Sequence, residues 1–246
     1  MTTIASRVQA VKARISEAAR AAGRAPGEIT LVAVSKTFPL QAIAEAYAAG
    51  QTAFGENYAQ EGIEKIAALS HLSIKQRVAS PHGPLLRPLE WHHIGPIQSN
   101  KAKPIAENFD WVHGIDRAKI AERLSASRPE NKPPLQVCVQ VNVSGEASKS
   151  GVPPDAVFGI AQTIMRLPRL RLRGLMAIPE PTPDTALQRS RFRMLREIRD
   201  DLLRRGVALD TLSMGMSDDL EAAIAEGATL VRVGRAIFGE RGAGAG

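Results

Sequence analysis

Short apolar runs and amphipathic stretches alternate along the whole chain. Runs dominated by Val, Ile, Leu and Ala occupy 29–36, 52–56, 90–95, 111–115, 135–143, 170–178, 211–215 and 230–238. In the intervals 40–49, 58–69, 99–108, 117–126, 155–166, 185–205 and 218–226, apolar residues recur every three to four positions, the period of a helix with one buried face. Several runs are apolar without interruption, as strands covered on both faces of a parallel sheet must be. Strand–helix repetition predicts a parallel α/β architecture. Eight strands within 246 residues favour a closed, TIM-type (β/α)8 barrel over an open doubly wound sheet.

Ahead of the first run, Ile4, Val8, Val11 and Ile15 share one helical face and Gly23 stands where a left-handed C-terminal stop belongs, so an extra N-terminal helix should pack on the barrel. No linker divides residues 1–246, and a single domain is expected. The polar stretch 70–88, with Pro81, Pro84 and Pro88, reads as a mobile surface excursion. Shorter loops are expected at 128–134 and 179–184, and a frayed Gly/Ala-rich tail at 241–246.

Composition narrows the function classes. With one cysteine there is neither a disulfide framework nor a multi-cysteine metal site, and Cys138, between two valines, reads as a small buried hydrophobe. No apolar run is long enough for a membrane span or a signal peptide, so a cytoplasmic protein is expected. The formal net charge of +7 invites a nucleic-acid partner. The arginines of 189–205, however, occupy the polar face of a helix whose apolar face is Phe192, Leu195, Ile198 and Leu202, and Glu197, Asp200 and Asp201 are interspersed with them. No exposed aromatic is interleaved with them as a stacking platform, and no nucleic-acid function is expected.

In a barrel of this type the chemistry sits at the C-terminal ends of the strands. The first run delivers Lys36 from a wholly apolar stretch, the second ends in Glu56-Asn57-Tyr58, the third in His92-His93, the seventh in Ser213-Met214-Gly215-Met216-Ser217 and the eighth in Arg232-Val233-Gly234-Arg235. A desolvated lysine loses its proton readily and can attack a carbonyl. Lys36 could instead reach solvent or pair with Glu56, and position alone leaves these even. The ends of strands seven and eight form the usual phosphate position of the fold. There Gly234 opens a short helical turn and Ser213 and Gly215 allow close approach, while Ser217 or Asp218 with Glu221 could equally cap the following helix. An amine and a phosphate cradle on one face suit a sugar phosphate or pyridoxal phosphate. Arg232, two residues before Gly234, should face the same mouth and favours the second, because an arginine on a pyridine nitrogen leaves it unprotonated and weakens the ring as an electron sink.

The stretches 31–37 (Leu-Val-Ala-Val-Ser-Lys-Thr), 54–58 (Phe-Gly-Glu-Asn-Tyr), 91–101, 173–178, 212–219 and 231–239 resemble, in order, those of the pyridoxal phosphate homeostasis proteins, relatives of the alanine racemase N-terminal barrel. The resemblance implies pyridoxal 5′-phosphate held as a Schiff base on Lys36, and Arg232 beside the pyridine nitrogen. It places Ser213, Gly234 and Arg235 around the phosphate, and Asn57, His93 and Met214 near the ring or the lysine. Arg235 stands where the family usually has threonine.

Related racemases add a second domain that supplies a tyrosine base, whereas only a few residues follow Gly239 here. Tyr47 lies in a helical pattern, Tyr58 is a weak candidate, and of His92 and His93 only one can face inward, the other reading as ordinary surface. Without a placed acid–base pair the expected role is storage and transfer of the cofactor to apo-enzymes by a monomer, with no catalytic residue and no metal. A pyridoxal-phosphate enzyme acting on amino acids, such as a racemase, is the alternative, and a cofactor-free Schiff-base aldolase is a more distant third.

Overall fold

A computed structural model describes residues 3–79, 88–144 and 150–240, the side chains of 71–79 excepted. Eight parallel strands close into one barrel in sequence order, β1 pairing with β8. They are β1 (Thr30–Val34), β2 (Ala53–Glu56), β3 (Glu90–His93), β4 (Trp111–Ile115), β5 (Leu135–Gln140), β6 (Leu170–Met176), β7 (Thr211–Ser213) and β8 (Leu230–Val233). The helices are α1 (Ile4–Ala21), α2 (Leu40–Ala48), α3 (Ala59–Ala79), α4 (Ala102–Asn108), α5 (Ala118–Ser127), α6 (Val157–Met165), α7 (Thr185–Arg204), α8 (Leu220–Ala225) and the short α9 (Arg235–Phe238).

The N-terminal helix forms as its spacing predicts. Thr3 caps it, its hydroxyl accepting from the Ser6 amide at 3.1 Å. Val8, Val11, Ile15 and Ala19 are buried, and Gly23 ends the helix at φ +68°. In α7 the Asp184 carboxylate accepts from the amides of Ala186 and Leu187, while Phe192, Leu195 and Leu202 are buried. Burying such side chains stabilises the fold by roughly 1.5–3 kcal/mol each. The arginine face of α7 is more than a solvated surface: Arg189, Arg193 and Arg196 converge on the carboxylate of Glu226, which is buried.

Successive strand residues alternate between two cores. Val32, Ala53 and Leu230 pack together inside the barrel, as do Trp111, Cys138 and Met176. Burial pushes the Cys138 thiol up to about 12, which leaves it protonated and inert. The larger core lies between barrel and helices and includes Ala33, Phe54, Trp91, Val112, Leu175, Leu212, Met214 and Val231.

Most apolar runs continue past the strand ends by two or more residues, because apolar side chains such as Ile94 and Ile178 go on to line the mouth. The stretch expected to be a surface excursion divides in two. Residues 70–79 prolong α3, since no proline or glycine interrupts the chain before Pro81 and extending a formed helix is easier than starting one. The remainder, 80–87, and the tail 241–246 lie outside the described residues.

His93 turns toward the helices, not to the surface: it is 1% exposed, and its ring meets Phe109 edge-on at 5.3 Å. Burial pushes its pKa down to about 4. A depressed folded-state pKa gives stability that is complete above the unfolded value near 6.5 and lost as pH falls toward 4. Urea unfolding at pH 7.5 and 4.5 should therefore show roughly 2–3 kcal/mol of acid destabilisation that a His93→Leu variant lacks.

Candidate functional site

The strand β1 ends at Val34, and the alternation carries on through the next three residues. Ser35 faces the helices, its hydroxyl donating to Glu56 Oε1 at 2.6 Å. Lys36 faces the other way, into the mouth of the barrel. Thr37 adopts φ +66°, a left-handed conformation that a β-branched residue avoids unless it is held there. The hold is a buried lysine on α3. Lys65 Nζ donates to the Ser35 carbonyl at 2.7 Å, to Glu56 Oε1 at 2.8 Å and to Glu61 Oε1 at 2.6 Å, and the Thr37 amide donates to the same Glu61 oxygen at 2.6 Å. Burial raises the Glu56 carboxyl pKa, and the ammonium of Lys65 opposes the shift. Glu56, which position allowed as a partner for Lys36, pairs with Lys65.

Across the mouth, β8 runs beside β1 with Arg232 level with Val32. The Arg232 guanidinium is buried; Nη1 donates to Ser213 Oγ at 2.6 Å and Nη2 to the Ala177 carbonyl at 2.9 Å. Burial pushes its pKa down to about 10, so it stays charged at neutral pH. Below it the polar contacts continue through the barrel. Ser213 Oγ lies 2.8 Å from His113 Nδ1, His113 Nε2 lies 2.9 Å from His92 Nδ1, and His92 Nε2 lies 2.8 Å from a carboxylate oxygen of Glu90.

Lys36 and Arg232 open on one cavity of about 620 Å³, within the range of small-molecule sites. Asn57, Gly234 and Arg235 share its wall, with Val34, Phe38, Ile94 and Ile178 as apolar lining. Two glycines shape this end of the barrel. A Cβ on Gly95 would fall 2.3 Å from the Asn57 carbonyl oxygen, so only glycine lets Asn57 sit where it does. Gly215 needs φ +94° to turn the chain out of β7. Phe38 stacks on Phe238 at 5.0 Å and ties the segment after Lys36 to α9.

Of the residues expected at the site, Lys36, Asn57, Arg232, Gly234 and Arg235 come together. Ser213 sits beneath Arg232 and reaches the cavity only through it. His93 and Met214 do not line it: each follows an inward-facing residue, and alternation turns both toward the helices. Arg235 is ion-paired with Asp218, and Glu240 lies 4.0 Å from it on the rim. The expected cap of Ser217 or Asp218 with Glu221 does not form. Asp219 occupies the N-cap of α8 and its Oδ1 accepts from the Met216 amide at 2.6 Å, while Glu221 pairs with Arg14 at 2.7 Å. Tyr47 is buried in α2, and Tyr58 is 59% exposed and off the cavity wall.

Sequence reasoning did not single out Glu90, His113, Glu61 or Lys65. A signal existed for His113, the one polar side chain within its apolar run; Lys65 is one of many helical lysines and shows nothing until its partners are placed. Among the described residues no cluster of three or more His, Cys, Asp or Glu could hold a metal, and no helix is long and apolar enough to cross a membrane.

The family model of the alanine racemase N-terminal domain matches residues 7–242. The chain is 58% identical to the pyridoxal phosphate homeostasis protein of Pseudomonas aeruginosa over 100% of its own length and 99% of that protein's. It is 50% identical to the protein of the same name from Escherichia coli K12, over 98% of each. The structure of PipY from Synechococcus elongatus, with PLP bound, superposes with a TM-score of 0.76 at 37% identity, over 92% of this chain and 100% of that one. By its matching domain, its relatives and its barrel, the chain belongs to the pyridoxal phosphate homeostasis proteins, within the family of the alanine racemase N-terminal domain.

Proposed function

We propose that this protein binds pyridoxal 5′-phosphate in the mouth cavity and serves its intracellular homeostasis, holding the cofactor and passing it to apo-enzymes as a cytoplasmic monomer. The observation that carries this reading is the pairing of an inward lysine and a buried arginine on adjacent strands around one cavity. The residues fit the group. Lys36 offers an amine to an aldehyde, and Arg232 offers a donor that holds no lone pair and so demands an acceptor such as an unprotonated ring nitrogen. Gly234 and Arg235 provide a close backbone approach and a cation for a phosphate. When bound, the cofactor supplies an electron sink, which a ring nitrogen kept unprotonated makes a weak one.

The chain's own residues favour holding over turnover. Lys65 and Glu61 fix the backbone on both sides of Lys36, so the amine is presented from a rigid segment. Among the described residues no tyrosine, histidine or cysteine lines the cavity, and Asp218 is engaged with Arg235. Amino-acid racemisation would need an acid–base pair placed about the substrate, and the carboxylates on this wall, Asp218 and Glu240, lie instead beside Arg235.

Borohydride reduction of the loaded protein followed by peptide mapping should label Lys36, and Lys36→Ala should abolish the label; a label on Lys101 or Lys103 would overturn the assignment. Replacing Lys65 with Met leaves Glu56 and Glu61 without their cation and should cost about 3–5 kcal/mol in chemical denaturation. Asp218→Ala frees Arg235 and should tighten cofactor binding, while Arg235→Ala should weaken it. Each change is expected to be no more than about fivefold in an equilibrium titration, because the Arg235–Asp218 pair is exposed.

A further inference from the structure

The buried chain from Glu90 to Arg232 has only one fully satisfied arrangement of its hydrogens. Arg232 Nη1 can only donate, so Ser213 Oγ accepts from it and has one hydrogen left to give. Its partner is His113 Nδ1, which must then be the unprotonated nitrogen. The His113 hydrogen therefore sits on Nε2 and is donated to His92 Nδ1; the His92 hydrogen sits on its Nε2 and is donated to the Glu90 carboxylate. Both imidazoles are neutral and every nitrogen has a partner. The reverse direction would leave the Ser213 hydrogen unplaced and require an imidazolium at His92.

Neutrality agrees with the surroundings. His113 is fully buried, and burial, with the charge of Arg232 nearby, holds its pKa well below the ordinary histidine value. The hydrogen bond from His92 lowers the Glu90 carboxyl pKa, so the terminal acceptor is an anion. Asp110, whose carboxyl pKa burial pushes up, lies near Glu90, and His93 adjoins His92 on the outer face of β3. Arg173 lies 4.8 Å above the Trp111 ring and is paired with Asp210, and Cys138 is protonated. Asp219 faces Arg232 electrostatically from the mouth side.

We propose that Glu90, His92 and His113 are positioning residues that act through Ser213 on Arg232: a one-way hydrogen-bond relay, anchored at the foot of the barrel, that fixes the guanidinium and keeps it a donor toward the ring nitrogen of the bound cofactor. The inference rests on the cofactor reading given above. It adds that a carboxylate at the far end of the barrel interior sets how firmly the ring nitrogen is held. Each link is neutral or counter-charged, so Arg232 is held by a hydroxyl and a carbonyl, with Asp219 acting on it through its charge from the mouth side.

Two measurements test the relay. In the cofactor-free protein, 15N NMR at neutral pH should show His92 and His113 as neutral Nε2–H tautomers; a Nδ1–H tautomer at His113 would overturn the hydrogen order. In the loaded protein, His113→Phe should weaken cofactor affinity about tenfold by stranding Ser213, and Glu90→Gln about threefold. Both should shift the absorbance maximum of the bound cofactor, whereas a merely structural role would leave that maximum unmoved. Glu90 has a side chain 46% exposed, so its variant should fold even if His113→Phe does not. Unchanged affinity and spectrum in Glu90→Gln, with the cofactor still on Lys36, would overturn the relay and leave the cofactor reading standing. If the unaltered protein takes up no cofactor, it is the cofactor reading that falls, and the relay as a cofactor-positioning device falls with it.

Discussion

Every assignment in this molecule depends on the two-residue alternation of its strands inside a closed barrel. Closure gives each strand a true inside and a true outside, so a shift of one residue exchanges the cavity for the helical layer. Val34, Lys36, Arg232 and Gly234 fall on the inward parity, while Ser35, Glu56, His93 and Met214 fall on the outward one. The same rule places Glu90 and His92 in the barrel interior, in line with Arg232. The site is thus a property of register before it is a property of any residue.

Two buried cations then make the register matter chemically, and the fold compensates them differently. Lys65 is met by two carboxylates and a carbonyl within 2.8 Å, an arrangement that answers its desolvation by direct charge. Its work is to hold the backbone of residues 35–37, including the left-handed Thr37. Arg232 has neutral partners at both nitrogens, a hydroxyl and a carbonyl, and its pKa falls to about 10. The difference matches their tasks. A cation clamped by carboxylates is spent on structure, whereas one held by neutral groups keeps donor capacity for whatever enters the cavity.

The barrel and the lysine at its mouth were legible in the sequence because they depend on local pattern: period, run length and the polar residue that terminates each run. Lys36, Arg232 and Gly234 could be placed at one mouth for that reason. His93 and Met214 were expected near the ring or the lysine because they adjoin the matching motifs, whereas strand parity turns their side chains toward the helices. The contiguous apolar runs overran the strands because the mouth is lined with the same residues as the core. Lys65, Glu61 and His113 were passed over for a different reason. His113 stood out as the one polar side chain of its run, but its role rests on Ser213, a hundred positions away; Lys65 and Glu61 are a local pair whose further partners, Glu56 and residues 35–37, no helical pattern points to.

These features together explain why such a site suits keeping a cofactor more than using it. A catalyst of carbon–hydrogen bond breaking needs a strong electron sink and a base poised on one face of the substrate. Here the buried cation on the cavity is Arg232, and on the cofactor reading proposed above an arginine at the ring nitrogen would leave it unprotonated and the ring a weak sink. The carboxylates at the rim, Asp218 and Glu240, lie beside Arg235 and would oppose the approach of a phosphate. On that reading the cofactor would be held firmly at the ring and adjustably at the phosphate end. A ligand held that way can leave by loosening its charged end first, which is what a protein that stores and releases a phosphorylated aldehyde requires.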